Sequence, residues 1–339
     1  MKKINFYIIG FLAIFNVTQS TETPFFFQYD KKTNLIEEDY LKIQESYDLT
    51  NIENFLIEFY EEARRKDRLF TLPYSVFYNR VTRSLRNVMI DKSKNLLPSQ
   101  QLIKINDGSD ICFVSSVPFR ENYPEMMDKQ IIALKNCGFN GFYLAFRGLF
   151  PTPTGEEVNL STVPYAFKFF CINEALKLGF KQVIWIDSAY IPVRNPISLF
   201  KDLPKIGAIF TALPPNGFGR YLCPSITAEK IFNLTGVDVH KSTYVVAAIM
   251  GFYADDPLVK EFINEFYEMA KLGYPFLSGT PEENVLTGII GKKKYRRWLK
   301  YNSKKNSPLW LDNRIRTYSE REAKKVNGFF YYHSHPIAT

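Results

Sequence analysis

The stretch that most limits what this chain can fold into is Gln182 to Pro196, QVIWIDSAYIPVRNP. Val183 to Ile186 form an unbroken apolar run that ends on Asp187. Such a run, without alternation, suits a strand covered on both faces, as in a parallel sheet enclosed by helices. Open α/β sheets hold their ligands just outside the carboxyl ends of those strands, and Asp187 stands at that point. A carboxylate there either meets a ligand or caps the next turn. Its place makes it the first candidate for a functional residue.

The flanking sequence supports this reading. After the turn Asn106-Asp107-Gly108-Ser109, Ile111 to Val117 reads as a buried strand, Tyr123 to Cys137 as a helix and Phe142 to Phe146 as a second strand. A proline- and glycine-bearing loop, Leu149 to Thr162, leads to a helix over Tyr165 to Leu178. Beyond the central strand come a strand at Ile206 to Leu213, a loop at Pro214 to Gly219 and a helix opened by Ser225 as cap. Thr243 to Phe252 is an apolar run, and Pro257 to Lys271 is an amphipathic helix. A further helix has Thr280 as cap and Pro281 at its first position. A polar helix near Ser319 to Lys325 and a last strand at Phe329 to Tyr332 complete the series. Strand and helix alternate, which predicts an α/β sheet with mainly parallel strands. Residues 25–105 differ: Tyr40 to Tyr47, Asn51 to Arg68 and Ser75 to Asn87 carry apolar residues at helical spacing.

The 339 residues suffice for one large domain with additions or for two domains, and 46 % apolar with 23 % charged residues is an ordinary globular balance. The formal charge is +8, with basic residues crowded into Lys292 to Arg297. A solvated helix face accounts for such a run; no nucleic-acid motif accompanies it, and no nucleic-acid partner is expected. The four cysteines form no C-x-x-C pair. Lys2-Lys3, the apolar run Ile4 to Val17 and the small and polar residues after it have the order of a secretory signal peptide, with cleavage after Ser20. As a helix that run spans roughly 21 Å, short of a bilayer's roughly 30 Å hydrocarbon core. Export is therefore expected, with a short anchor as the alternative and membrane contact only through this N-terminal segment.

Taken together, the order and spacing resemble those of nucleotide-diphospho-sugar glycosyltransferases of the GT-A type. Val114-Ser115-Ser116 resembles the segment that holds the nucleotide base, and Val183-Ile184-Trp185-Ile186-Asp187 resembles the strand that ends in an Asp-x-Asp motif. Val246 to Phe252 resembles the acceptor-side strand, and Glu282-Glu283-Asn284-Val285-Leu286 the helix start that follows. The resemblance covers roughly 110–300. It implies an α/β fold: a single GT-A-like, Rossmann-like domain at 106–339, with a mainly parallel mixed sheet flanked by helices and preceded by the helical stretch at 25–105. The implied activity is transfer of a sugar from a nucleotide-sugar donor to a glycan or protein hydroxyl.

One departure matters, since Ala189 stands where the second aspartate of the motif would be. That pair holds a divalent cation, manganese or magnesium, against the donor diphosphate. Three readings stay open. Asp187 holds the cation with another group such as His333 or His335, whose i,i+2 spacing puts both rings on one side of a strand. Alternatively, Asp187 binds sugar hydroxyls while basic residues replace the cation, or the site is inactive and only binds carbohydrate or nucleotide. Lys168, Arg147, Arg194 and Arg220 are candidates for the diphosphate, and Ser115 and Ser116 for the donor. Glu282 and Glu283 are candidates for acceptor binding or general base, or they simply favour the dipole of their helix. A hydrolase has less support, because no G-x-S-x-G, H-E-x-x-H or P-loop is found.

Overall fold

Residues 49–83, 99–119, 122–148, 150–151, 163–213, 221–298, 321 and 329–333 are described by the computed structural model. Outside them lie the leader at 1–20, the helix expected at 40–47, most of the loop at 149–162, the loop at 214–219, Arg220 and His335.

The apolar run Gln182–Ile186 is a strand, β4. It lies inside a sheet with β1 (Ser99–Ile105), β2 (Ile111–Val117), β3 (Gly141–Arg147), β6 (Ala208–Leu213) and β7 (Tyr244–Tyr253). The sheet order is β1-β3-β2-β4-β7-β6. β2 runs parallel to both β3 and β4, β7 is antiparallel to β4 and β6, and β1 is antiparallel to β3. All but β1 and β7 therefore point the same way. This is the expected α/β arrangement, a mixed sheet flanked by helices.

Helices cover both faces: α1 (Leu49–Lys66), α2 (Tyr74–Val81), α3 (Tyr123–Asn136), α4 (Phe167–Lys177), α5 (Ile197–Ile206), α6 (Ser225–Thr235), α7 (Pro257–Leu272) and α8 (Pro281–Ile290). Period-two alternation assigns each strand residue to one of two apolar cores. Val183 and Trp185 join Val114 and Leu144 in a core covered by α1, α2, α4, α6, α7 and α8. Ile184 and Ile186 join Phe113 and Tyr143 in a core covered by α3 and α5. Both faces of β4 are thus buried, which is why its sequence shows no polar alternation.

Two expectations need correction. Ser99–Ile105, placed by its sequence with the helical stretch, is an edge strand paired with β3 from Ser99↔Arg147 to Ile105↔Gly141. It is mostly exposed, so its apolar pattern is sparse, and its pairing is with residues far along the chain. The segment Ile197–Ile206 is a helix, although Pro204 lies within it and the next strand was expected to begin at Ile206. Gly207, at φ 90°, ends that helix.

The N-terminal helices pack into the first core: Ile52, Leu56, Phe70 and Phe77 belong to the same cluster as Trp185 and Phe262. They are also tied by a long-range cap. Ser225, expected to cap α6 itself, is its first helical residue, with Pro224 at the cap position. Asp67, just beyond α1, does the capping: its Oδ2 accepts from Ser225 N–H (3.2 Å) and Ser225 Oγ (2.5 Å). The basic run after α8 faces α7, with Lys292 and Lys294 paired to Glu265 and Glu261, and Arg297 paired to Asp256.

Candidate active site

Asp187 continues the alternation Val183, Trp185, Asp187, so its side chain lies on the face covered by α4 and α8. The Trp185 indole N–H donates to Asp187 Oδ1 at 2.7 Å, and the carboxylate stays partly open to solvent. The backbone around it is held firmly. Asp187 N–H donates to Ala248 C=O at 2.9 Å, and the buried Gln130 amide of α3 donates to the carbonyls of Asp187 (3.1 Å) and Tyr190 (2.7 Å).

α4 delivers Lys168 to this carboxylate. Its ammonium lies 3.1 Å from Asp187 Oδ1 and 3.0 Å from Glu282 Oε1, and donates to Ala247 C=O at 3.1 Å. Three protons thus have three sets of partners. Burial pulls the Lys168 pKa down, but Asp187, Glu282 and Glu283 outweigh it and the net direction is up. The ammonium stays charged. Lys168, the residue expected to meet a diphosphate, ties α4, β4, β7 and α8 together.

The end of β4 explains why α8 contributes here. β4 pairs with β7 only as far as Ile186↔Ile249, and the β7–β6 register jumps from Met250↔Phe210 to Val246↔Thr211. Backbone groups of β7 in this stretch need other partners. Glu283 accepts from Ala247 N–H at 3.1 Å, and Thr287, one helical turn on, accepts from Val245 N–H at 3.0 Å. The other oxygen of Glu283 accepts from the Tyr244 hydroxyl at 2.5 Å. Burial, then the charge of Glu282, push the Glu283 carboxyl up to about 7, against the pull of Tyr244, Lys168 and the Ala247 amide. Glu283 is therefore a partly exposed carboxyl that changes charge near neutral pH, beside a Lys168–Asp187–Glu282 cluster. Thr280 holds the cap position of α8, with Pro281 next as expected, but its hydroxyl makes no capping bond and accepts from Asn284 Nδ2 instead.

Other expected residues fall elsewhere. Ser115 is fully buried on the opposite face from Asp187, with Phe113 and Val117. Ser116 is half-buried and shares the Asp187 face. Arg147 pairs with Asp128 at 2.5 Å. Arg194 stacks over Phe329, 4.6 Å from guanidinium carbon to ring centre. Its neighbour Asn195 bonds Gly138 C=O at the far end of α3, away from the carboxyl edge of the sheet. His240 meets the Cys223 carbonyl at 3.0 Å.

His333 does come close. β5 (Tyr190–Pro192) pairs with β8 (Phe330–Tyr332), and His333 N–H donates to Ala189 C=O at 2.8 Å. Ala189 itself turns away from Asp187: it is 7 % exposed and belongs to the second core. Asp187 is alone on its turn, its acidic neighbours share Lys168, and among the described residues no group of three or more histidine, cysteine or acidic side chains can hold a metal.

Sequence reasoning missed Gln130, Tyr244 and Arg80. Gln130 carried a signal, as the polar residue among Met126, Met127, Ile131 and Leu134 on the buried face of α3. Arg80, on α2, hydrogen-bonds Tyr165, and Tyr165 first, then Glu283 and Glu282, hold its pKa up. Nothing in the local sequence points to it.

No protein-family model matches the chain, and no curated protein matches it. Among solved structures, the apo form of mouse xyloside xylosyltransferase 1 is similar at 12 % identity and a TM-score of 0.29, over 64 % of this chain and 74 % of that one. A likeness at that score carries no functional weight.

Proposed function

We propose that this chain is a glycosyltransferase that moves a sugar from a nucleotide-diphospho-sugar donor to a hydroxyl of a glycan or protein. The observation that carries the reading is the cluster at the carboxyl edge of the sheet: Lys168 bridges Asp187 and Glu282, and Glu283, next on α8, is held by Ala247 N–H and the Tyr244 hydroxyl, with burial raising its pKa to about 7. A general base works best with a pKa near the working pH. Glu283 takes the proton of the acceptor hydroxyl, whose oxygen attacks the anomeric carbon. The bond from that carbon to the diphosphate oxygen breaks, and its electron pair leaves with the nucleoside diphosphate. Asp187, oriented by Trp185 and Lys168, accepts hydrogen bonds from donor hydroxyls. Glu282 keeps Lys168 in place and contacts no substrate.

The test is consumption of a panel of uridine and guanosine diphosphate sugars, with and without manganese, in the presence of sugar and peptide acceptors. Turnover that falls about 100-fold or more in Glu283→Gln supports the reading. Ala189 favours a second reading, a domain that binds carbohydrate or nucleotide without turnover. Donor binding with no consumption under any metal would select it. An exported location agrees with the leader; among the described residues no helix is long and apolar enough to cross a membrane.

A further inference from the structure

The transferase reading leaves the donor's negative charge unaccounted for, and a site for that charge rests on the same reading. Within the cluster a single ammonium faces Asp187 and Glu282, with Glu283 adjoining, and its protons are already engaged. Negative charge predominates there, which suits sugar hydroxyls and repels a diphosphate. The compensating charge comes from outside the sheet. Arg80 is exposed on α2 and bonded to Tyr165, whose ring centre lies 5.6 Å from Lys168 Nζ. Arg83 donates to the Tyr123 hydroxyl at 2.6 Å, with its guanidinium carbon 5.3 Å from that ring's centre.

Tyr123 opens α3 just beyond the carboxyl end of β2, and Tyr165 precedes α4, so both arginines stand over the edge where β4 ends in Asp187. The two guanidinium groups are near enough to repel each other. Like charges held close together favour a counter-ion between them. Tyr165 itself has φ 60°, a left-handed conformation uncommon for an aromatic residue and of the kind found at functional sites.

We infer that Arg80 and Arg83, supplied by the N-terminal helical segment, bind the diphosphate of the donor, with Tyr165 and Tyr123 orienting the two guanidinium groups. The helical segment is then part of the site, and the sugar lies inward over Asp187 and Glu283.

Calorimetric binding of inorganic pyrophosphate and of uridine diphosphate to the full chain tests this. Wild type binds both; Arg80→Gln and Arg83→Gln each weaken binding about tenfold or more, and the double variant still further. Arg80→Lys and Arg83→Lys fall between, because an ammonium cannot form the bidentate pair. A double glutamine variant that melts like wild type yet binds pyrophosphate within about twofold of it overturns the inference. If that variant does not fold, the lysine variants decide, and unchanged affinity in both overturns it. A sulfated disaccharide serves as the rival anion, and wild-type binding of it without pyrophosphate binding also overturns the proposal. Arginine-dependent pyrophosphate binding without donor consumption leaves the anion site standing and refutes the transferase reading. Donor consumption with arginine-independent pyrophosphate binding does the reverse.

Discussion

Lys168 and Glu282 meet at 3.0 Å with both side chains only 5 % exposed, so neither charge is hydrated if the other is removed. Breaking such a pair from one side typically costs about 3–5 kcal/mol. Lys168→Met should lose stability of that order in urea unfolding. Adding Glu282→Leu should restore part of it, because the second substitution removes the stranded charge while Asp187 remains open to water. Strict additivity of the two single effects would show that the ion pair is not the unit that holds α4 to α8.

Glu283 predicts opposite pH dependences for stability and activity. Its folded pKa, about 7, lies above the ordinary 4.5. The folded protein therefore keeps a proton that the unfolded chain releases between those values. Stability from this group is fully present below about pH 4.5 and is lost as pH rises through about 7, by on the order of 3 kcal/mol. Transfer should instead rise through about pH 7, as the base loses its proton. In Glu283→Gln the stability slope across that window should flatten, which urea melts at pH 5, 6, 7 and 8 would measure. An unchanged slope would remove Glu283 as the titrating group.

Restoring the motif residue should harm the protein. Ala189 packs in the core formed by α3, α5 and the β5–β8 ribbon, so Ala189→Asp places a carboxylate among apolar side chains. The variant should lose several kcal/mol and gain no manganese affinity. Thermal melting and calorimetric titration with manganese read the two effects separately. Tight manganese binding by a stable Ala189→Asp protein would mean the turn can present both carboxylates on one side.

Asp67→Ala should loosen the joint between α1 and α6. Asp67 is 9 % exposed, and its carboxylate caps α6 through Ser225. Burial raises its pKa, but the bonds from Ser225 and Leu69 outweigh that and the net direction is down. The stability it contributes is present above the ordinary 3.8 and lost as pH falls below it. Loss of the cap and of charge-assisted bonds should cost about 2–3 kcal/mol at neutral pH. If α1 and α2 carry part of the site, pyrophosphate binding should weaken as well. Unaltered stability would show that α6 needs no cap from outside.

What the sequence determined by itself was local and periodic. The apolar run into Asp187 was readable as a doubly covered strand, because burial on both faces removes the need for polar alternation. Glu282 and Glu283 were readable as the first turn of a helix, because Thr280-Pro281 is the order of a helix start. Tertiary structure alone decided which groups meet. Lys168 and Glu282 are more than a hundred positions apart, and only the sheet order brings α4 and α8 over the same end of β4. The inward turn of Ala189 and the burial of Ser115 depend on which side of the sheet each Cβ takes. The approach of Arg80 depends on the packing of α1 and α2 into the core beside α6 and α8. These are contacts between distant segments, set by packing and charge in the assembled core, and short-range pattern carries no record of them.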